Sequence, residues 1–480
     1  MFLTRYVRAG REIASLKYFI RGIKNDRYIG VVEGMPGAGK TLLTTIAVKD
    51  MFYEGEMTKA LFAEPQRYLR DYVAQKWLPG SFVVKARDEV CKKIAKKVKE
   101  EPEKDYLLKA FEECTKCPHY RKDSCPFYGQ FKKLVDMSKG IVVTTHHLAP
   151  ITTWLFKPDL LIFDEAEDYL QVLSKPIDPK VLEELEKLDE KTFKRIKSNL
   201  TRYLNKYYLK PAWFSVVGSK CLMISATFPD YLKQFIGESY GRPDELLWIP
   251  THTISSPSVK DMVLSLNDRQ VYRKSLKLED QFWWRQIIPR LISMVNASVE
   301  RFGAVSIVSK NKVMTEKLHE IFTGLGYRVT SDALHEKPDR DAEVWVATVR
   351  GKWYRGVSLR PSKVKGDRKD FPVVLAFYQA QNPNRIASKI PPFFWDWELN
   401  VSFLMTLCRD LIRAENVQTL FRFNRERDKQ HLMVLFDKRL TYALELYFKS
   451  YVNHLKHKET VDTLNDLERR FLELVEAVKP

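Results

Sequence analysis

The sequence lacks the features that would place the protein in a membrane or outside the cell. It has no uninterrupted apolar run of about 18 residues, so we expect no membrane span. Met1-Phe2-Leu3 is soon followed by Arg5, and we therefore expect no signal peptide. Internal repeats and low-complexity segments are also missing from the sequence. These absences favour a cytoplasmic protein, or a nuclear one in a eukaryote.

Cysteine is scarce and unevenly distributed. The chain has 6 cysteines, and Cys91, Cys114, Cys117 and Cys125 fall in one short segment. In an intracellular protein such a group favours a metal site over disulfides. By ligand count, four thiolates suit a [4Fe–4S] cluster and tetrahedral zinc equally, and His119 is a possible replacement ligand in the zinc case.

Acidic residues are fewer than basic ones. The chain contains 61 Asp and Glu against 80 Lys and Arg, which gives a formal net charge of +19. This balance suggests a polyanionic partner, most simply nucleic acid, although a generally basic protein without a specific partner is the alternative. With 480 residues, 45% of them hydrophobic, the chain can bury the cores of two or three domains.

One glycine-rich stretch, Gly-Met-Pro-Gly-Ala-Gly-Lys-Thr, fits the phosphate-binding pattern G-x-x-x-x-G-K-[ST]. An apolar stretch at 28–33 predicts a buried strand before it, and residues 41–48 predict a buried helix after it. Such a loop directs backbone N–H groups and a helix N-terminus at a triphosphate. The residues that we expect to contact ATP are Gly34, Gly37, Ala38, Gly39, Lys40 and Thr41.

Two acids follow a second buried strand. Residues 160–163 are Leu-Leu-Ile-Phe, and Asp164 and Glu165 come directly after them. In nucleotide hydrolases, acids at this place hold Mg²⁺ and polarise the attacking water. We therefore expect Asp164 and Thr41 to bind Mg²⁺, and Glu165 to orient the water.

Apolar strands alternate with helical stretches along most of the chain, and this pattern predicts an α/β fold with parallel sheets. We expect strands at 28–33, 59–63, 140–145, 160–163, 220–224, 304–308, 343–348, 373–377 and 431–436. The region from about residue 260 has no phosphate loop of its own.

Several motifs occur in one order that resembles the XPD/DinG group of iron–sulfur helicases in superfamily 2. The resemblance covers nearly the whole chain, and the four cysteines lie where that family inserts its cluster domain. Asp-Glu-Ala-Glu at 164–167 is similar to the family's acid box. The other matching segments are Ser225-Ala-Thr227, the Val-Arg-Gly-Lys stretch at 349–357, Gln418-Thr-Leu-Phe-Arg422-Phe-Asn-Arg425 and Asp437-Lys-Arg439.

The resemblance implies two RecA-like motor domains with two inserted segments. The first motor domain would comprise 1–85, 135–170 and 215–228. Residues 86–134 would form the iron–sulfur domain and 171–214 a short helical insert, a reduced form of the family's arch. The second motor domain would comprise 229–480.

The resemblance also implies the activity, an ATP-dependent DNA helicase that moves 5′ to 3′ on single-stranded or forked DNA as a monomer. Cys91, Cys114, Cys117 and Cys125 would bind the [4Fe–4S] cluster. Gln418, Arg422 and Arg425 would act from the second motor domain, the arginines by stabilising the charge on the transferred phosphoryl group.

The chain departs from the family pattern at Arg11, Glu167, Arg355, Ser358 and Phe421, and its arch segment is short. These departures leave two alternatives open. One is an ATP-driven translocase or remodeller that does not unwind duplexes. The other is a DNA-binding adaptor with a decayed motor. The pathway stays open as well.

Overall fold

A computed structural model describes most of the chain and divides it into two compact units. Most of the described residues up to Ile254 form the first unit, and most of those from 261 onward form the second, to which Gly34–Ala38 also belong. The described residues are 2–26, 29–103, 105–198, 200–203, 205–209, 220–230, 232–233, 249–254, 261–268, 271, 281–335, 337–349, 351, 353, 359–378, 420–421, 423, 426, 429–447, 452–453 and 455–479.

The first unit is built on a seven-stranded sheet in which every strand pairing is parallel. The strand order is β3-β4-β2-β5-β8-β1-β9. A separate antiparallel hairpin is formed by β6 and β7. The strands are β1 (Ile29–Glu33), β2 (Lys59–Glu64), β3 (Phe82–Val83), β4 (Gly140–Thr145), β5 (Leu160–Asp164), β6 (Leu200–Tyr203), β7 (Lys206–Leu209), β8 (Lys220–Ser225) and β9 (Thr251–Thr253).

The helices of the first unit follow from local sequence signals. Asp105 and Asp178 each accept a hydrogen bond from a backbone N–H in the first turn of the helix that they precede, which caps that helix. The helices are α1 (Phe2–Asp26), α2 (Lys40–Tyr53), α3 (Arg67–Tyr72), α4 (Arg87–Val90), α5 (Lys92–Glu100), α6 (Tyr106–Thr115), α7 (Pro126–Asp136), α8 (Ala149–Phe156), α9 (Tyr169–Leu173), α10 (Pro179–Leu188) and α11 (Glu190–Ser198). Short π- and 3₁₀-helical turns lie at Val73–Trp77 and Ala166–Asp168.

The second unit contains another seven-stranded, fully parallel sheet, in the order β12-β13-β11-β14-β15-β10-β16. Its strands are β10 (Met262–Leu266), β11 (Val305–Ser309), β12 (Val329–Ser331), β13 (Val344–Thr348), β14 (Val373–Phe377), β15 (Leu432–Leu435) and β16 (His457–Val461). Its described helical segments are Trp283–Ile287, Ile288–Phe302, Lys312–Gly324, Arg439–Tyr447 and Leu464–Ala477.

The hydrophobic core of each unit is formed around the central strands of its sheet. All residues of β5 are buried, as are those of β10, β11, β14 and β15. Strands that are buried on both faces read as continuous apolar runs, which is why the sequence predicted β5, β11, β14 and β15. Strand β10 is equally buried and was not predicted. The predicted α/β class with two parallel-sheet lobes is therefore confirmed.

The structure differs from the sequence interpretation in several strands and in the insert 171–214. Strands β3, β10, β12 and β16 were not expected. Strand β9 pairs with β1 in the first sheet, although it lies beyond the expected limit of the first lobe at 228. Its three residues, Thr-His-Thr, carry no apolar run that could reveal a strand. The insert 171–214 is only partly helical, because its hairpin β6–β7 follows α10 and α11.

No helix among the described residues is long and apolar enough to cross a membrane.

Candidate functional site

The phosphate loop connects β1 to α2, as the sequence predicts. Gly37 and Gly39 adopt positive φ angles of 83° and 85°, a backbone conformation that favours glycine. The Ala38 N–H donates to the Met35 carbonyl at 3.0 Å and closes a turn. Lys40, the first residue of α2, is buried. The loop thus presents a helix N-terminus and a shielded lysine at one place, an arrangement that suits an anion.

The Thr41 hydroxyl joins this loop to the acid pair. It donates to both carboxylate oxygens of Asp164, each at 3.0 Å, across 123 residues of sequence. Asp164 ends β5, and the next residue, Glu165, adopts a left-handed conformation with φ 46°. The structure therefore brings the predicted magnesium-binding residues, Thr41 and Asp164, into direct contact.

Burial dominates the electrostatics of Asp164. Removal from water and the neighbouring Glu165 carboxylate raise the pKa of Asp164 to about 7, while Thr41 and Lys40 act in the opposite direction. A cation bound beside Asp164 would favour the ionised carboxylate.

Glu64 is a third acid at this site that the sequence analysis missed. It ends β2, which pairs with β5, and its side chain is fully buried. Neither carboxyl oxygen has a hydrogen-bond partner of ordinary length among the described residues. Burial, with Asp164 and Glu165 nearby, raises the pKa of Glu64 well above its usual value. The available signal was an acid directly after the strand predicted at 59–63, but a strand end alone does not indicate a site.

His146 was also missed. It follows β4, and its Nε2 lies 2.9 Å from the Asp164 backbone carbonyl. Because a carbonyl only accepts hydrogen bonds, Nε2 carries the proton in this contact. The His146 backbone N–H donates to the Glu64 carbonyl, also at 2.9 Å. His146 thus fixes the end of β5 against the ends of two other strands.

The remaining motifs of the first unit lie at the same sheet edge. Ser225 ends β8, and its hydroxyl accepts a hydrogen bond from the Thr227 N–H at 3.0 Å. Glu167 lies in the turn after β5 and is buried. In parallel sheets, ligands bind at the carboxyl ends of strands, where all these residues are found.

The second-lobe residues are described only in part. Gln418, Arg422 and Arg425 lie outside the described residues, so their expected roles stay predictions. Asp437 and Arg439 are described, and the Arg439 guanidinium pairs with the Asp437 carboxylate at 2.6 Å.

The four cysteines of 86–134 come together around α6. All four are free thiols. Cys114 lies in α6 and is buried, Cys91 precedes α5, Cys117 lies in the turn after α6, and Cys125 precedes α7. Burial and the neighbouring Cys125, Cys91 and Cys117 raise the pKa of Cys114, while the Arg87 charge lowers it. The other three cysteines are therefore close enough to Cys114 to act on its charge.

Arg87 is the cation of this group. Its guanidinium lies 3.6 Å from Cys114 Sγ and donates to the Tyr128 hydroxyl at 3.1 Å. The guanidinium carbon is 4.2 Å from the centre of the Phe111 ring and 4.6 Å from that of Phe127. The aromatic rings thus position the Arg87 guanidinium beside the buried Cys114 thiol. Its positive charge favours thiolate formation.

The arrangement of possible ligands around the cysteines limits which kind of metal site could form there. His119 Nδ1 lies 2.9 Å from the Ser124 hydroxyl. In the described part of the chain, no three His, Cys, Asp or Glu side chains are grouped so as to hold a single metal ion. A four-iron cluster takes one thiolate at each of its irons, so its four ligands need not converge on one ion. The four neighbouring thiols and the Arg87 charge fit that chemistry.

Comparisons with known proteins bear on the fold. No protein-family model matches the sequence, and no curated protein matches it significantly. A solved XPD helicase covers 94% of this chain and 99% of its own, with 14% identity and a TM-score of 0.54. The Xpd4 structure from S. tokodaii covers 93% of this chain and 99% of its own, with 12% identity and a TM-score of 0.51. The chain thus has the fold of these XPD helicase structures.

Proposed function

We propose that the protein is an ATP-dependent DNA helicase of the iron–sulfur XPD/DinG type, which translocates 5′ to 3′ on single-stranded or forked DNA. The contact of Thr41 with Asp164 carries this proposal. It joins a phosphate loop to an acid-ending strand, as the chemistry of MgATP requires. The XPD-like fold and the net charge of +19 support a nucleic-acid motor.

The described residues have distinct roles in this proposal. The backbone N–H groups of Gly34, Gly37, Ala38 and Gly39 and the Lys40 ammonium would bind the phosphates. Thr41 and Asp164 would hold the Mg²⁺ that accompanies ATP, and Glu165 would orient the attacking water. Gln418, Arg422 and Arg425 would complete the site from the second lobe.

Cys91, Cys114, Cys117 and Cys125 are proposed to bind a [4Fe–4S] cluster. When bound, the cluster would hold together a segment that has only a small apolar core, formed by Ile94, Ala110 and Cys114 with their neighbours. Iron and acid-labile sulfide analysis of anaerobically purified protein tests this point. Four irons per chain are expected, and stoichiometric zinc would contradict the cluster.

DNA-stimulated ATP hydrolysis tests the motor itself. Lys40→Ala should abolish hydrolysis and leave DNA binding intact, because Lys40 contacts only the nucleotide in this proposal. Full ATPase activity in that variant would refute the site. Strand displacement on a duplex with a 5′ tail, against one with a 3′ tail, then tests unwinding and direction. ATPase activity without displacement on either substrate would indicate a translocase.

A further inference from the structure

The loop between Cys117 and Cys125 has no helix or strand of its own. It is a series of turns in which the Tyr120 N–H donates to the Cys117 carbonyl at 3.0 Å and the Cys125 N–H to the Lys122 carbonyl at 2.9 Å. Arg121 adopts φ 59°, a left-handed conformation that is unusual for a residue other than glycine. Such a loop requires contacts from elsewhere to keep one shape.

One carboxylate outside the cysteine segment makes those contacts. The Tyr120 hydroxyl donates to Asp189 Oδ2, and the Arg121 guanidinium donates to Asp189 Oδ1. Asp189 lies between α10 and α11 and is only 9% exposed. Its own backbone is fixed, because its N–H donates to the Leu185 carbonyl at 2.8 Å and its carbonyl accepts from the Phe193 N–H at 2.9 Å.

Apolar packing joins the same two segments. Phe111 of α6 shares a buried cluster with side chains of the insert 171–214. The Tyr120 ring packs against this cluster and also against the small cluster that contains Cys114. The buried insert residues of the shared cluster are Leu182, Leu185, Phe193 and Leu200. The cysteine segment therefore has much of its core in the insert.

We propose that Asp189 is a positioning residue for the cysteine site: it holds the loop that carries Cys117 and Cys125 in the shape needed to bind metal. The inference rests on the proposed metal-binding role of the four cysteines. No motif of the cysteine segment points to Asp189, which lies 69 residues after Tyr120 and 68 after Arg121. The insert would thus act as a support for the metal site.

Asp189→Ala in the full-length protein tests the proposal, with Asp178→Ala as the matched control. Asp178 caps the other end of α10 through the Lys180 N–H at 2.9 Å, so its loss weakens the same helix without touching the loop. Hydrogen exchange of residues 117–125 and iron release to a chelator are measured in both variants. Asp189→Ala should accelerate both by about tenfold, since a buried charge-assisted pair of hydrogen bonds is lost.

Equal loop exchange in wild type, Asp178→Ala and Asp189→Ala would overturn the inference, as would equal acceleration in the two variants. If Asp189→Ala fails to fold, Asp189→Asn keeps the volume of the side chain and should show the same acceleration to a smaller degree. If the wild-type protein carries no metal, the proposed cluster fails, whereas hydrogen exchange still decides whether Asp189 holds the loop.

Discussion

The Arg87 guanidinium lies 3.6 Å from the Cys114 thiol, and the Phe111 ring lies 4.2 Å from the same guanidinium. Arg87 therefore links the charge of a thiolate to the apolar core of the cysteine segment. Its removal leaves three aromatic rings without their cation and the buried Cys114 thiol without its compensating charge.

Arg87→Leu should lower both metal content and stability. We expect a loss of about 2 kcal/mol in the free energy of unfolding, from cation–π contacts and the hydrogen bond to Tyr128. Chemical denaturation and metal analysis provide the measurements. Arg67→Leu is the control. Arg67 is half-exposed and pairs with Asp88 and Glu89, which lie on the same short helix as Arg87, so its loss should cost less than that of Arg87. Equal effects of the two substitutions would contradict the role of Arg87.

Thr41→Val should reduce ATP hydrolysis by about a hundredfold or more, because it keeps the shape of the side chain but removes the hydroxyl that contacts Asp164. Thr41→Ser keeps the hydroxyl and should retain most of the activity. Steady-state ATPase rates at saturating MgATP check both variants. Near-wild-type activity in Thr41→Val would show that the hydroxyl is not part of the site.

Asp164 should make the nucleotide-free protein less stable as pH rises. A carboxyl with a raised folded pKa binds its proton more tightly in the folded state, so its contribution is present below about pH 4 and lost as pH rises to about 7. Asp164→Asn removes the titrating group, so the variant does not lose this stability as pH rises. The variant should melt at a higher temperature than wild type at pH 8 and at nearly the same temperature at pH 4.

Thermal melts across this pH range, without Mg²⁺ and nucleotide, measure the effect of Asp164→Asn. Glu64 titrates in the same direction, so a smaller pH dependence should persist in the variant. A constant difference in melting temperature between the two proteins at all pH values would contradict the raised pKa of Asp164.

Gly351→Ala should destabilise the second unit. A Cβ atom at Gly351 would lie 1.7 Å from Asp332 Oδ2 and 3.0 Å from the Thr348 Cβ, so the turn has no room for it. We expect a cost of about 1–3 kcal/mol in the free energy of unfolding. Gly324→Ala is the matched control, because no atom lies within 4 Å of the added carbon.

A double-mutant cycle identifies the cause of the Gly351 requirement. Asp332 Oδ1 accepts hydrogen bonds from the Thr348 N–H and hydroxyl, both at 2.9 Å, so Asp332→Ala is costly by itself. In that background, however, Gly351→Ala should cost much less than in wild type, since the clashing carboxylate is gone. Additive costs in urea denaturation would mean that Asp332 is not the obstacle.

The sequence predicted those parts of the fold whose signal is local. Gly140–Thr145 and Val373–Phe377 were located to the residue, because strands buried on both faces are continuous apolar runs. Thr251–Thr253 and the hairpin Leu200–Leu209 were missed, since their residues are mainly polar or half-exposed. Met262–Leu266 was missed although it is fully buried. The phosphate loop and acid pair were found because their chemistry prescribes residue types at fixed spacing.

The missed site residues depend on tertiary contacts. His146 and Glu64 reach Asp164 only because β4, β2 and β5 are adjacent in the sheet, an order that no local pattern specifies. Asp189 reads as one more acid in a charged helical stretch, and its bonds to Tyr120 and Arg121 depend on how two inserted segments fold together. Sequence motifs identify the residues that take part in a reaction. The residues that position them are identified only from tertiary contacts in the folded protein.

The shared cluster around Phe111 has a consequence for biosynthesis. Its partners from Leu182 to Leu200 are translated well after the last of the four cysteines, and β8, which joins β1 to β5, is translated later still. On the ribosome the cysteines therefore emerge before the apolar surface that covers them. Metal delivered to the nascent chain would meet exposed thiols without their support. The proposed cluster would therefore load productively only after residues 178–209 have left the ribosome.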